Sequence, residues 1–249
     1  MTTIDTTIDT TIDTNIATTI ATTIATTIAT TIATTIDTTE MCINSLNYKH
    51  FINSINPEHM EIVGEPNILS SVLKDKFIWF SVKVLNKMNG KVNPTFILLR
   101  GNSVAILVII INKGKEYILI TEQLRAPTGS NRFESVAGMM DNDNNPRIVA
   151  TKEIEEETGI VVTEKDFNEL GSYYTSPGIT EEEMFCFYVL REMNDNQFKE
   201  LTDKLYGTGD DEVIRLHLIP ATWNKVLETK DGKLIASFAM YENMKFHIV

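Results

Sequence analysis

The residues best suited to chemistry in this chain are three glutamates, Glu153, Glu156 and Glu157, in the run KEIEEETG. An α-helix turns once in about 3.6 residues, so spacings of three and four bring these carboxylates onto one helical face. Carboxylates packed that closely repel one another, and a bound divalent cation would convert the repulsion into ligation. Ligands made of oxygen alone suit Mg²⁺ or Mn²⁺, which are hard ions that bridge proteins and phosphates.

The helix that would carry these acids has recognisable ends. Asn145 can cap its N-terminus, Pro146 suits the first helical position, and Gly159 suits a left-handed residue after the last turn. Ala150 and Ile154 are four residues apart on a different face, where they can anchor the helix to a core. A charge run alone is more typical of a solvated helix face, so the capped helix, the glycine before it and further motifs favour the metal site.

The stretch from Gly138 to Ile160 resembles the signature of the Nudix hydrolase family, which reads Gly, five residues, Glu, seven residues, Arg-Glu-aliphatic-x-Glu-Glu-x-Gly-aliphatic. Gly138 opens the signature, and the run from Lys152 to Ile160 closes it in register. Two positions depart from it. Asn144 stands where the family has Glu, and Lys152 stands where the family has an Arg that orients a metal-binding Glu. Lysine keeps the positive charge but lacks the planar, bidentate guanidinium group.

Further motifs, over roughly residues 93 to 245, resemble the ADP-sugar and ADP-ribose diphosphatase branch of that family, and plant-type ADP-sugar diphosphatases most closely. They are ITEQLRAPTG from Ile120, Glu134 with the following VAG, SPGITEE from Ser176, DEVIRL from Asp211, and LIASFAMY from Leu234. Each motif alone is weak evidence. Their order around the Nudix signature makes the set specific.

The resemblance implies an α/β fold, the Nudix α/β/α sandwich with a mixed sheet. It also implies Mg²⁺-dependent hydrolysis of a nucleoside diphosphate-sugar of the ADP-ribose or ADP-glucose type, which yields a nucleoside monophosphate and a sugar phosphate. Mn²⁺ is a second candidate ion. The expected metal ligands are Glu153, Glu156, Glu157 and the backbone carbonyl of Ala137. Glu157 also counts among the catalytic residues, because Glu157→Gln is expected to lower kcat by orders of magnitude.

The general base is expected to come from a loop outside the signature. Glu182 is one candidate, and the acids at positions 210 to 212 form the other, with Glu212 slightly favoured; ordinary surface charge is an equally good interpretation of each acid alone. Arg125 is expected to clamp phosphate oxygens, and Glu134 to accept hydrogen bonds from a ribose or base. Their alternatives are a surface ion pair and a strand-end charge.

Asn144 and Lys152 keep open another function class, a catalytically weakened Nudix module that binds a nucleotide ligand as a sensor or scaffold. RNA decapping is disfavoured, because the net charge is −12 and the sequence has no basic, aromatic-rich patch. A nucleic-acid partner is therefore not expected.

Composition divides the chain into a Thr/Ile repeat at 1–40, expected to be disordered, an N-terminal extension at 41–92 and a Nudix domain at 93–249. The extension is a candidate homodimerisation segment. The repeat resembles neither a secretory signal nor a transit peptide. The longest apolar run, 104–111, is far shorter than the roughly 20 residues that span a bilayer, so no membrane partner is expected. Cys42 and Cys186 form neither a disulfide framework nor a zinc motif, which fits a cytoplasmic protein.

Hydrophobic periodicity and turn signals predict a sheet layered between helices. The predicted strands are 77–85, 95–99, 104–111, 117–122, 171–174, 184–190 and 213–219. Besides the acid-bearing helix, helices are predicted at 43–55, 196–205, 221–228 and 233–244.

Overall fold

The computed structural model describes residues 5–72, 76–141, 145–202, 205–206 and 213–247. Contacts between Cα atoms divide the chain into two compact units, residues 1–96 and residues 97–249. The domain limits taken from composition, 1–40, 41–92 and 93–249, stay a prediction.

The first unit consists of two helices followed by a three-stranded sheet of order β1-β2-β3. Strands β1 and β2 pair antiparallel, with Val72 opposite Phe77 next to the connection. Aromatic edges join helix and sheet, since the Tyr48 and Phe51 rings lie 5.8 and 5.7 Å from the Phe80 ring. The elements are α1 (Asp5–Asn44), α2 (Leu46–Ser54), β1 (Met60–Val72), β2 (Phe77–Asn86) and β3 (Lys91–Leu99).

The Thr/Ile repeat differs from the expectation of disorder, because Asp5–Asn44 is one α-helix. Threonine hydroxyl groups return hydrogen bonds to the preceding turn, as Thr22 Oγ1 does to Thr18 O and Thr27 Oγ1 to Thr23 O, both at 2.8 Å. These local bonds satisfy the hydroxyl groups within the helix itself. The isoleucines of the repeat whose side chains are described, from Ile16 to Ile28, remain exposed.

The second unit is built around a mixed eight-stranded sheet of order β10-β11-β5-β4-β9-β8, with β6 paired to β5 and β7 paired to β4. Strands β4 and β9 run parallel, while β5 and β7 pair antiparallel with β4. The strands are β4 (Ser103–Asn112), β5 (Lys115–Arg125), β6 (Ser130–Glu134), β7 (Val136–Met139), β8 (Asn168–Tyr174), β9 (Glu183–Glu192), β10 (Leu205–Tyr206) and β11 (Ile214–Pro220). The helices are α3 (Pro146–Thr158), α4 (Asp195–Leu201), α5 (Trp223–Thr229) and α6 (Gly232–His247).

Strand β4 is buried on both faces and contributes to the core on each side of the sheet. Its even-numbered residues, such as Val108, pack with Ala150 and Ile154 of α3. Its odd-numbered residues Leu107 and Ile109 pack with α6. Successive strand side chains point to opposite faces, so one strand fills two helix–sheet interfaces. The predicted α/β/α sandwich with a mixed sheet is confirmed.

Candidate catalytic site

Helix α3, which carries the three glutamates, begins and ends at the predicted residues. The Asn145 side chain accepts a hydrogen bond of 3.0 Å from Arg147 N, and Pro146 is the first helical residue. Gly159 has φ +68°, and its amide donates to Glu155 O at 2.8 Å. A Cβ atom on Gly159 would lie 2.6 Å from Tyr206 Cε1, so glycine satisfies both the backbone conformation and the packing there.

The first turn of α3 is fixed to the strands beneath it by Arg147. Its guanidinium group donates to the carbonyl oxygen of Phe167 at 2.7 Å and stacks over the Phe187 ring at 5.4 Å. Ala150 and Ile154, the predicted anchors, are fully buried. The helix therefore presents its acids from a rigidly packed element.

The three glutamates have different environments along α3. Glu157 is buried, with 6% of its surface exposed, Glu153 is half-buried and Glu156 is exposed. The Glu153 carboxyl lies so close to Gly138 of β7 that a Cβ atom there would be 1.9 Å from Glu153 Cδ. The glycine that opens the signature is thus required for the approach of this carboxylate. Lys152, next to Glu153, is exposed.

The carbonyl group of Ala137 is oriented by strand pairing. Met140 N donates to Asn102 O at 2.9 Å, and the register continues with Gly138 opposite Val104 and Ala137 opposite Ala105. Antiparallel pairs alternate between hydrogen-bonded and non-hydrogen-bonded, so Ala137 falls in a non-hydrogen-bonded pair. Its carbonyl oxygen therefore points away from β4.

The carboxylates do not converge in this structure. Within the described residues, no group of three or more His, Cys, Asp or Glu side chains is gathered closely enough to hold a metal ion. Like charges on one helix face repel, which favours spread rotamers unless a cation lies between them. The donor set nevertheless fits a hard divalent ion, because it consists of oxygen atoms and the side chain of Glu153 fills the space left by Gly138.

Glu182, one candidate for the general base, is buried and fully engaged. One carboxylate oxygen accepts a hydrogen bond from Ser103 Oγ at 2.5 Å and lies 3.4 Å from Arg100 Nε, and the other accepts from Thr175 Oγ1 at 2.7 Å. Ser103 stands opposite Met139 in the β4–β7 ladder. The register thus brings Glu182 to the end of β7 next to Gly138.

The neighbouring acid, Glu181, is a structural residue that sequence reasoning did not single out. Its Oε1 accepts hydrogen bonds from the amides of Arg100 and Gly101, at 2.9 and 2.7 Å. It therefore fixes the turn that leads into β4. Its position inside the SPGITEE motif was the one available signal.

Arg125 and Glu134 form a bidentate ion pair. Arg125 Nε lies 2.8 Å from Glu134 Oε1, and Arg125 Nη2 lies 3.0 Å from Oε2. Lys233 Nζ also contacts Oε2. Burial would raise the pKa of Glu134, but the hydrogen bonds and charges of Arg125 and Lys233 outweigh it and lower that pKa to about 2. Glu134 is thus held as a carboxylate by two cations, and its role in substrate binding stays a prediction.

Asp231 and Lys233 are further residues that the sequence analysis did not assign to the site. Asp231 precedes α6, and its carboxylate accepts hydrogen bonds from the amides of Lys233 and Leu234 at 3.2 Å each. The same carboxylate accepts from Ser135 N at 2.9 Å. An aspartate before a helix is a recognisable capping signal, but nothing in the sequence indicated its contact with Ser135.

Several sequence-predicted residues lie outside the described part of the chain. They are Glu212, the favoured general base, and Asn144, the departure from the signature; the alternative acids Asp210 and Asp211 lie outside it as well. Of the remaining predicted site residues, the structure joins Glu153 to the strand that carries Ala137, and joins Arg125 to Glu134.

A family model described as NUDIX domain matches residues 101–237, which is more than half of the chain. No helix within the described residues is both long enough and apolar enough to cross a membrane.

Two relatives and one solved structure are similar to this chain. Nudix hydrolase 14, chloroplastic, from Arabidopsis thaliana is 32% identical over 179 residues, which cover 67% of this chain and 57% of that protein. ADP-ribose pyrophosphatase from Bacillus subtilis is 29% identical over 140 residues, 53% of this chain and 73% of the relative. The crystal structure of an ADP compounds hydrolase superposes with a TM-score of 0.55 at 14% identity, over 77% of this chain and 96% of that one. At that identity the superposition shows a shared fold.

Proposed function

We propose that this chain, which belongs to the Nudix hydrolase family, hydrolyses the diphosphate bond of a nucleoside diphosphate-sugar and needs Mg²⁺ to do so. The products would be a nucleoside monophosphate and a sugar phosphate. The names of the relatives, which include an ADP-ribose pyrophosphatase, support substrates of the ADP-ribose or ADP-glucose type.

The observation that carries the proposal is the contact between α3 and β7. Glu153 fits against Gly138 with no room for a side chain, and Glu157, one turn further along α3, is buried. Burying a carboxylate is costly unless a cation or hydrogen-bond donors compensate it. A solvated, acid-rich surface helix would need neither the glycine opposite Glu153 nor the burial of Glu157.

Glu153, Glu156, Glu157 and the carbonyl oxygen of Ala137 are the proposed ligands. When bound, Mg²⁺ supplies neutralisation of the diphosphate charge and a lowered pKa for a coordinated water molecule. The Glu156 side chain is exposed and Glu153 is half-buried, so small rotamer changes on a fixed helix suffice to bring them together. Arg125, whose side chain is 43% exposed, can orient phosphate oxygens while it remains paired with Glu134.

For the general base, the contacts of Glu182 favour Glu212. Ser103 donates to one oxygen of Glu182, which also lies beside Arg100, and Thr175 donates to the other, so both oxygens already have partners within the protein. We therefore assign proton removal from the attacking water to the carboxylate of Glu212. Glu182 would instead fix the loop beside the site.

The direct test is incubation of the purified protein and Mg²⁺ with ADP-ribose, ADP-glucose and UDP-glucose, followed by separation of AMP and UMP. Glu157→Gln should lower kcat by about 1000-fold, because the chemistry depends on the bound ion. Glu155→Gln is the matched control, because it removes the same charge from an exposed neighbour on the same helix. Equal activity of the two variants, or turnover unaffected by a chelator, would refute the metal site.

A second function is a module that binds a nucleotide without cleaving it, favoured by the exposed Lys152 at the signature's arginine position. Calorimetry with ADP-ribose distinguishes the two functions. Tight binding without AMP release in the presence of Mg²⁺ would replace the hydrolase with the binding module.

A further inference from the structure

The junction between β6 and β7 is tied to the start of α6 through Asp231. The Asp231 carboxylate accepts hydrogen bonds from Ser135 N and Ser135 Oγ at 2.9 and 3.3 Å. It also caps the first turn of α6 through the amides of Lys233 and Leu234. One buried carboxylate therefore connects a helix N-terminus to the single residue between two strands, and fixes their separation.

Lys233 makes a second connection one residue earlier in the chain. Its ammonium group contacts Glu134, the last residue of β6, and lies 3.9 Å from Asp231 Oδ1. Side-chain exposure is 20% for Lys233 and 9% for Glu134, so water screens this pair only weakly. With Arg125 on the other side of Glu134, two cations and two carboxylates balance in charge.

A third connection runs from β6 to α5. Arg132 Nη2 donates to the carbonyl oxygen of Thr229 at 3.2 Å, and Thr229 ends α5 two residues before Asp231. The segment Thr229–Lys233 therefore holds β6 and its junction at three positions, through Arg132, Glu134 and Ser135. We name this segment the α5–α6 clamp.

The clamp acts on the part of the chain that carries the proposed ligand carbonyl. Ser135 is followed at once by β7, which contains only Val136–Met139 and lies beside β4. Its far end is fixed by the hydrogen bond from Met140 N to Asn102 O. A four-residue strand gains little stability from its own pairing, so its position depends on what holds its two ends.

We propose that Asp231 and Lys233 are positioning residues for the metal site, an inference that rests on the proposed function. By holding Glu134 and Ser135, they set where β7 lies and hence where the Ala137 carbonyl and Gly138 meet α3. Neither residue needs to touch the ion or the substrate. Mutation of groups that orient a metal ligand in this way typically weakens metal binding by roughly 10- to 100-fold.

The experiment compares Lys233→Met and Asp231→Asn with Lys245→Met. Lys245 is the matched control, because it lies on the same helix and pairs with two carboxylates, Glu116 at 3.0 Å and Glu242 at 3.1 Å. Three quantities are measured: amide hydrogen exchange of residues 135–140 in metal-free protein, the Mn²⁺ dissociation constant, and kcat and KM separately.

In Lys233→Met and in Asp231→Asn, the amide hydrogens of residues 135–140 should exchange about tenfold faster than in the wild type. Both variants should also bind Mn²⁺ about tenfold more weakly, and kcat should change more than KM. Lys245→Met should match the wild type in exchange there and in Mn²⁺ affinity, and Lys233→Arg should restore most of the loss. If Lys233→Met does not fold, the isosteric Asp231→Asn and the charge-conserving Lys233→Arg still test the positioning role.

If Asp231→Asn has the same amide hydrogen exchange at residues 135–140 and the same Mn²⁺ affinity as the wild type, the proposal that the clamp positions β7 is wrong. The exchange readout needs neither metal nor substrate. If the wild-type protein cleaves no nucleoside diphosphate-sugar, the proposed function is therefore refuted. The exchange measurement would still test whether Asp231 and Lys233 hold β7 in place.

Discussion

The carboxyl group of Glu153 occupies the position that a Cβ atom on Gly138 would take, with 1.9 Å between that atom and Glu153 Cδ. The obstructing atoms form the far end of a flexible side chain, so the protein can relieve an added methyl group by moving the carboxylate. A substitution at Gly138 should therefore affect the site much more than the fold.

We expect Gly138→Ala to lower kcat by about 100-fold, because a ligand displaced by an ångström or more loses its productive geometry. The free energy of unfolding should fall by no more than about 1 kcal/mol, since only a side-chain rotamer must change. Steady-state kinetics with Mg²⁺ and urea unfolding measure the two effects. Gly114→Ala, in the turn between β4 and β5, is the control for kcat, because a Cβ atom there meets nothing within 4 Å. A large loss of stability with normal kcat would contradict this account.

The end of α3 gives a prediction about stability. Gly159 and Gly129 both have φ near +67°, but a Cβ atom on Gly129 meets open space, whereas one on Gly159 would strike the Tyr206 ring. Gly129→Ala should cost about 1 kcal/mol of unfolding free energy for the left-handed backbone alone. Gly159→Ala should cost about 2 kcal/mol more, because packing adds to backbone strain. Urea unfolding of both variants measures the difference.

A double variant isolates the packing contribution. If Tyr206 causes the extra loss, adding Tyr206→Ala to Gly159→Ala should reduce the cost of the glycine substitution to the level seen at Gly129. Strict additivity of the two substitutions would show that the ring contact is unimportant.

The general base can be identified from pH profiles. Glu212→Gln should lower kcat by about 1000-fold and remove the acidic limb of the kcat/KM profile, because that limb reports protonation of the base. Glu182→Gln should keep the shape of the profile and lower activity less, since the amide retains some of the contacts with Ser103 and Thr175. The opposite pattern would transfer the role to Glu182.

Local signals explain why α3 could be predicted from sequence to the residue. Its N-cap and C-cap, Asn145 and Gly159, act through neighbours within four positions, so a window of sequence contains their whole cause. The turn between the predicted strands 104–111 and 117–122 is local in the same way, since it is formed by Lys113 and Gly114, which both have positive φ.

Other elements depend on distant partners and were missed or misplaced. Strands β6 and β7 are short, and pairing with β5 and β4 creates them rather than alternation of their own residues. Strand β1 was not predicted either, although β2, its partner, was. The helix predicted at 196–205 ends at Leu201.

The same limit applies to the site. The three glutamates follow from spacing, but the contacts of Glu134 with Lys233 and of Ser135 with Asp231 join residues 99 and 96 positions apart. Spacing along the chain carries no information about such pairs. The sequence therefore indicated which residues could do chemistry, but it contained no signal for the residues that hold Glu134 and Ser135 in place.

The ion pairs of Glu134 lead to a dependence of stability on pH. Because Arg125 and Lys233 lower its pKa to about 2 despite burial, the folded state binds a proton at Glu134 less readily than the unfolded state does. The stabilisation is present above the unfolded pKa, about 4.3, and is lost as the pH falls from there toward about 2.

Glu134→Gln should therefore cost about 3 kcal/mol of unfolding free energy at pH 7, because it leaves two partly buried cations without their carboxylate. The difference from the wild type should stay constant between pH 7 and 5 and narrow at pH 4 and 3. Urea unfolding of both proteins at these four pH values measures it. Glu116→Gln is the control, since Glu116 pairs with Lys245 on a more exposed surface, and its cost should be below about 1 kcal/mol. If the difference in unfolding free energy between the wild type and Glu134→Gln does not change down to pH 3, the ion pair is not the cause of that difference.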